Sequence, residues 1–398
     1  MMSINSKLKR NIRISYIYNF MMQFNITTAV WVLYLSYKGM SLVEIGLLEA
    51  IFHITGLLFE LPTGAIADIY GKRFSIIVGR ILSIIATILM IVSNSFWEFA
   101  LAFVITAASY NMESGAGEAL VYDSLKELGE EERYKRIWGS LSFLMSISQG
   151  FAILLGGILA DVKFLYAYIL GAILQLIALI ISLGYTEPPM EKVKSEENAV
   201  ISQLRISVTV LREKRLVGYL ILLFAVISSL GATVFFYSQK YFEDISYTKT
   251  EIALIFAVSS LLSALSSKYA HKLEKRLKPG GILVLIALLN ICALFGLCFI
   301  GRLSITFFLV CSASEGLSYP IFSDYINSRI PSEFRATLLS VNSLCYSLFM
   351  ICVFPLFGIT ADKLGFSNTF GIIGVMYIPI MLILLLKIKS YWFGGKIK

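Results

Sequence analysis

Ionisable side chains interrupt the long apolar runs of this sequence at only a few places. Glu113 and Glu315 stand near the middle of two such runs, Glu49 and His53 stand four residues apart in a third, and Glu60, Arg80 and Glu118 fall nearer the ends of their runs. A charge held at the depth of an apolar span is costly, so it is either functional or paired. A carboxyl group in a poorly hydrated cavity can load and release a proton near neutral pH. Glu49 and His53 share a helix face, so His53 can shuttle a proton or act as neutral helix glue bonded to Glu49. Glu60 precedes Asp68, Arg80 follows Arg73 and Glu118 precedes Asp123 by similar distances in sequence. At about 1.5 Å per residue, Glu60 and Arg80 lie roughly 10–12 Å from the turn between their runs, with Glu118 in about the same layer. An unpaired arginine there would be expensive, so a structural ion pair of Arg80 with Glu60 or Glu118 is expected. Glu113 and Glu315 lie roughly 14–15 Å from the ends marked by Asp123 and Asp324, near mid-membrane. Glu113 and Glu118 are about 140° apart around a helix, which assigns Glu118 to packing and Glu113 to open space.

The elements that hold these groups follow from composition. Of 398 residues, 57% are apolar and 15% charged, against roughly 45–50% and about 25% in soluble domains. That excess excludes a soluble enzyme, a disordered chain and a disulfide scaffold. Apolar stretches fall near residues 13–37, 42–68, 74–93, 96–123, 137–160 and 164–185, then near 216–240, 250–270, 281–300, 304–328, 337–360 and 367–387. Each is long enough to cross a bilayer, which takes about 20 apolar residues, and helices are required because backbone groups in lipid must bond within their segment. The first run is long and lacks a small-residue cleavage pattern, so it is read as a retained span. Cys292, Cys298, Cys311, Cys345 and Cys352 lie in apolar runs without CxxC spacing, which implies small apolar helix residues and no metal site or disulfide framework. No ATP loop, HExxH or GxSxG motif occurs, which counts against a membrane-embedded enzyme.

The net charge of +8 has a place in this scheme. With both termini cytoplasmic, the opposite side receives only Lys38, Lys163, Lys240, Lys249, Arg302 and Lys363 of the 34 Lys and Arg, and Arg80 stays inside a span. Such asymmetry orients the chain with its termini inside and needs no nucleic acid. The longest polar segment opens with Glu187-Pro188-Pro189, and Ile201 to Lys214 reads as a short amphipathic interfacial helix. It divides the chain into a six-span bundle over 1–186, a cytoplasmic linker over 187–215 and a second bundle over 216–398.

The halves repeat each other. Asp123 and Asp161 recur as Asp324 and Asp362 at one constant offset, and Gly157-Ile-Leu-Ala-Asp161 matches Gly358-Ile-Thr-Ala-Asp362. Ser41-Leu-Val-Glu44 and Thr248-Lys-Thr-Glu251 each open a span with a capping-box pattern. Two similar halves point to a transporter built from parallel repeats.

Between the second and third spans, Gly64-Ala-Ile-Ala-Asp68-Ile-Tyr-Gly71-Lys72-Arg73 resembles the signature loop of the major facilitator superfamily. The resemblance covers nearly the whole chain. It implies an all-α integral membrane fold of twelve transmembrane helices in two pseudo-symmetric six-helix bundles. It also implies a cytoplasmic gate of Gly64, Asp68, Gly71, Lys72, Arg73 and Asp123, in which Asp68 is the latch and Lys72 or Arg73 reaches Asp123. The second-half counterpart, Ser267 to Lys278, lacks the aspartate and glycine. The fifth span, Ser148-Gln-Gly-Phe-Ala152-Ile153-Leu-Leu-Gly156-Gly157, keeps the final glycine pair of the proton-driven drug exporters but has Ala-Ile for their Gly-Pro, and their fourth-span arginine is absent. Ser114-Gly-Ala-Gly-Glu118-Ala-Leu-Val-Tyr-Asp123 is similar to a large bacterial branch related to drug/proton antiporters.

In that superfamily the first, fourth, seventh and tenth spans line a central cavity. Carried over, Asn25, Tyr110, Asn111, Tyr237 and Tyr319 become candidates for substrate contact, suited to an amphipathic or cationic small molecule. Glu113, with Glu315 as partner or substitute, becomes the proton-coupling candidate, and Glu49 with His53 the next. The expected protein is a secondary transporter working by alternating access, a proton-coupled exporter, with a nutrient importer or facilitator as the alternative. It needs no cofactor or metal beyond a proton gradient. It is expected as a multi-pass monomer in a bacterial inner membrane, with a small-molecule substrate and the lipid bilayer as its only partners.

Overall fold

Helices carry the apolar runs throughout the described part of the chain. This computed structural model describes residues 4–189, 214–299, 301–330 and 335–394; the amphipathic helix expected over 201–214 lies outside them but for Lys214. The helices in chain order are α1 (Ile4–Gln23), α2 (Trp31–Tyr37), α3 (Leu42–Tyr70), α4 (Lys72–Val92), α5 (Phe96–Glu113), α6 (Ala116–Glu127), α7 (Tyr134–Val162), α8 (Phe164–Ser182), α9 (Arg215–Asp244), α10 (Lys249–Leu297), α11 (Arg302–Asn327) and α12 (Arg335–Gly394). No strand occurs among the described residues. Eight of these helices, α3, α4 and α7 to α12, are long and apolar enough to cross a membrane. Two of the eight hold two spans each. The chain turns within α10 at Lys278 (φ 61°), next to Pro279, and within α12 at Gly365 (φ 77°).

The remaining two spans are broken, which the sequence reading of 13–37 and 96–123 as unbroken runs did not foresee. Residues 24–30 separate α1 from α2, and Ser114 and Gly115 separate α5 from α6. In the first break the Asn25 carboxamide oxygen accepts the Thr27 N–H (3.3 Å) and hydroxyl (2.9 Å), a local bond that competes with the helix. In the second, Gly115 takes φ 77°, a left-handed conformation open to glycine.

The chain divides into two compact units. Unit 1 takes Met1–Tyr34, Ile51–Ser195 and Thr248–Leu254; unit 2 takes Leu35–Ala50, Glu196–Tyr247 and Ile255–Lys398. Inside unit 1, Tyr18, Ile76, Leu120 and Ala178 form one buried cluster, and Val121, Leu125, Ile137 and Leu141 another. Asn11 ties three elements together there: its amide donates to the Ser124 hydroxyl (2.9 Å) and the Thr186 carbonyl (2.7 Å), and its oxygen accepts the Thr186 N–H (2.9 Å). Such bonds hold helices together where lipid supplies no hydrophobic drive. Unit 2 has an aromatic core in which Tyr237 stacks between Phe354 (4.5 Å) and Phe357 (4.6 Å) and Phe256 packs on Phe308 (5.0 Å). Large apolar side chains such as Ile180, Val375 and Leu382 face outward, as a lipid-exposed surface requires.

The repeated Gly-Asp segments perform the same task in each unit. Asp161, at the end of α7, accepts the N–H groups of Lys249 (2.8 Å) and Thr250 (2.7 Å), the first amides of α10. Asp362 accepts those of Leu42 (3.1 Å) and Val43 (2.9 Å), the first amides of α3. The expected capping boxes are present at both starts: Glu44 N–H bonds the Ser41 hydroxyl (3.3 Å) and Glu251 N–H that of Thr248 (3.2 Å). Gly157 and Gly358 permit the approach, since a Cβ would lie 2.6 Å from the Lys249 carbonyl oxygen in one case and 2.3 Å from that of Leu42 in the other.

Candidate functional site

The two helix breaks of unit 1 open onto a cavity of about 650 Å³. Irregular backbone survives at membrane depth where it is buried in protein or lines a cavity, so the breaks and the cavity explain each other. Residues 24–28 of the first break and Ser114 and Gly115 of the second form part of its wall, with Arg80, Thr87, Trp138, Gln149, Tyr168 and Gln175 from neighbouring helices. Trp31 and Phe103 add an aromatic corner, their rings 5.7 Å apart.

Arg80 pairs with Glu113 across α4 and α5. Its Nη2 donates to Glu113 Oε2 at 2.6 Å and its Nε to Oε1, and both side chains are 9% exposed. This corrects the expected pairing with Glu60 or Glu118, both of which are exposed. Glu118 instead accepts the Tyr134 hydroxyl. The depth argument places charges along a helix axis but leaves open which face of α5 meets α4. The deciding feature is Gly79, where a Cβ would stand 2.7 Å from Glu113 Cγ; the missing side chain is the slot Glu113 fills.

Unit 2 holds its carboxylate differently. Glu315 faces a smaller cavity, about 220 Å³, lined by Ser259, Ser260, Ser263, Ser312 and Cys311 with Phe235 and Phe308. No cation pairs with it among the described residues. Gly231 makes room for it, since a Cβ there would lie 2.2 Å from Oε1.

The five cavity candidates part company. Asn25 and Tyr110 line the unit 1 cavity. Asn111 does not; its amide donates to the Gly56 carbonyl (2.5 Å). Tyr237 is fully buried in unit 2, its hydroxyl donating to the carbonyls of Leu42 (2.8 Å) and Phe354 (3.1 Å), so it packs and does not face a cavity. Tyr319 is 69% exposed and leans on Phe224. Glu49 is half-buried in unit 2, and His53, one turn on along α3, is buried in unit 1.

At the signature loop, Lys72 bridges to Asp123 while the Arg73 guanidinium donates to the Leu183 carbonyl (3.0 Å). Asp68 and Gly64 are exposed. Sequence reasoning missed Glu187, which accepts the N–H groups of Lys72 (2.8 Å) and Arg73 (2.7 Å) and so caps α4. Gly71 is the partner it needs: φ is 97°, and a Cβ would lie 2.7 Å from the Glu187 carboxyl carbon. The signal available in the sequence is an acidic residue, Glu187, directly before the helix-ending Pro188-Pro189.

Known proteins resemble this chain along most of its length. The Bacillus subtilis (strain 168) protein described as "Uncharacterized MFS-type transporter YxaM" is 24% identical over 92% of this chain and 93% of its own. The tetracycline resistance protein of class H from Pasteurella multocida is 22% identical over 75% of this chain and 76% of its own. A crystal structure of the nucleoside transporter NupG superposes with a TM-score of 0.77, covering 98% of this chain and all of that one, at 11% identity, a likeness of fold alone. The family model described as Major Facilitator Superfamily matches residues 14–351, and this membrane-embedded transporter belongs to that family.

Proposed function

We propose that the protein is a proton-coupled exporter of a small amphipathic compound, working by alternating access, with the unit 1 cavity as its substrate site and Glu315 as its proton carrier. The observation that carries the coupling is the Glu315 carboxylate in the serine-lined cavity of unit 2, which no cation pairs with among the described residues. A carboxyl group that no cation holds can gain and lose a proton as its hydration changes. The coupling role expected for Glu113 passes to Glu315, because Glu113 is already neutralised by Arg80. Export is supported by the likeness to a resistance protein, and the Lys72–Asp123 bridge supports a working cytoplasmic gate. The Lys and Arg distribution supports cytoplasmic termini in a bacterial inner membrane, and the protein acts as a monomer.

Inverted membrane vesicles test the reading. Compounds should accumulate inside them when an acid-inside gradient is imposed and should only equilibrate without one. Accumulation driven by the opposite gradient would make the protein an importer, and gradient-independent equilibration of every substrate would make it a facilitator.

A further inference from the structure

The walls of the unit 1 cavity carry polar atoms that nothing among the described residues satisfies. Gln149 accepts a bond from the Gln23 amide (2.9 Å) with its oxygen, which leaves its own buried amide nitrogen without a partner. Gln175 donates to the Thr87 hydroxyl (3.0 Å) and leaves its buried oxygen without one. The Tyr168 hydroxyl is likewise buried and unpartnered, its ring set 4.2 Å from that of Tyr34. All three side chains line the same cavity, two from α8 and one from α7. Buried polar atoms are nearly always hydrogen-bonded, because one left bare forfeits its bond to water with nothing in return. Three such atoms around one cavity mark where a ligand bonds.

Charge on the same wall narrows the ligand. Arg80 and Glu113 cancel each other, and a cation could reach Glu113 only by displacing a buried partner, which is strongly unfavourable. The remaining carboxylate, Glu118, is exposed and already accepts the Tyr134 hydroxyl. Trp31 and Trp138 offer flat aromatic faces, and Met21, Met22 and Met145 adjust to irregular shapes. The volume is that of a site for a drug-sized molecule.

The geometry points to an uncharged, ring-bearing substrate that presents both a hydrogen-bond acceptor, to the Gln149 amide, and a donor, to the Gln175 oxygen. This rests on the exporter reading for its context but is tested without transport. The full chain in detergent is titrated with chloramphenicol and uridine as uncharged probes and with tetraphenylphosphonium as a cation, following tryptophan fluorescence. At least one uncharged probe should quench saturably, and Gln149→Leu and Gln175→Leu should each weaken its binding about tenfold, the loss of one buried hydrogen bond. Gln149→Met and Gln175→Met, closer in shape, guard against misfolding, with the unfolding midpoint checked for each variant. The proposal is overturned if neither uncharged probe binds at millimolar concentration. It is equally overturned if the glutamine variants keep full affinity, or if tetraphenylphosphonium binds more tightly than both and Glu118→Gln removes it. An uncharged probe that binds but is never moved by a gradient in vesicles would overturn the exporter reading alone. Gradient-driven movement of the cation with no uncharged ligand would overturn the substrate class alone.

Discussion

Glu113 ends the short helix α5 against the guanidinium of Arg80, whereas Glu315 sits within the unbroken α11 with no cation beside it among the described residues. The surroundings differ as much as the carboxylates do. In unit 1 the first and fourth spans break, and the breaks line a cavity three times the volume of the one beside Glu315, with amide and aromatic walls. In unit 2 the seventh and tenth spans run through as α9 and α11, and the small cavity offers serine hydroxyls. Corresponding spans of a duplicated fold therefore hold their carboxylates differently, and the two carboxylates lie one residue out of the repeat's register. A paired carboxylate fixes the walls of a binding cavity, and an unpaired one is free to change its protonation. On the proposed function, recognition and coupling are separated in this way, so that each should be open to disturbance without the other.

The largest effect belongs to the pair. Arg80→Ala leaves Glu113 buried without its cation, a loss of about 3–5 kcal/mol, and should sharply lower the yield of folded protein on size-exclusion chromatography. Adding Glu113→Gln should recover part of that yield, and adding Glu118→Gln should recover none. Rescue by Glu118→Gln instead would mean that the two carboxylates exchange roles in the membrane.

Glu315→Gln should leave folding intact and remove coupling. Substrate would then equilibrate across vesicles at either pH gradient, while exchange at equal pH continues. If accumulation survives, the contrast between the units is structural only, and Glu49 with His53 becomes the next place to look for the proton. A smaller change is expected at the loop. Asp68→Asn should slow transport by about tenfold, equivalent to about 1.4 kcal/mol on the barrier, with substrate affinity little changed. A parallel loss of affinity would make Asp68 a folding residue and not a latch.

Much of this molecule was legible in its sequence, and the limits have physical causes. Hydropathy sets span number because lipid imposes length, and it located the turns inside α10 and α12 even though the helices run nearly continuously through them. Capping boxes are local, so Ser41–Glu44 and Thr248–Glu251 were readable, and so was the bridge to Asp123 once the loop was recognised. Pairing across helices was not. The choice of Glu113 for Arg80 depends on the rotation of α5 against α4 and on the slot at Gly79, which no axial count contains. The breaks at 24–30 and at Ser114 and Gly115 were missed because the polar interruptions, Asn25 to Thr28 and Glu113 to Gly115, are short and each run turns apolar again beyond them. The cavity walls went unseen for a related reason: Gln149 and Gln175 look like helix polar residues until the fold shows that each has a bare atom.

The smallest expected effect probes where the units stay alike. Asp161 and Asp362 each satisfy two orphan amides at a helix start and place a negative charge at the positive end of its dipole. An asparagine keeps one acceptor oxygen, so Asp161→Asn and Asp362→Asn should each cost about 1 kcal/mol of local stability. Hydrogen exchange reads this directly: the amides of Lys249 and Thr250 should exchange about fivefold faster in the first variant, and those of Leu42 and Val43 in the second. The two caps share no partner, so the double variant should show both changes at their single-variant size. Equal responses would mean that the repeat has been kept at the helix starts while it diverged at the carboxylates. A response confined to Asp161 would mean that the asymmetry between Glu113 and Glu315 extends to the ends of the spans, and that the division of tasks involves more of each unit than its cavity.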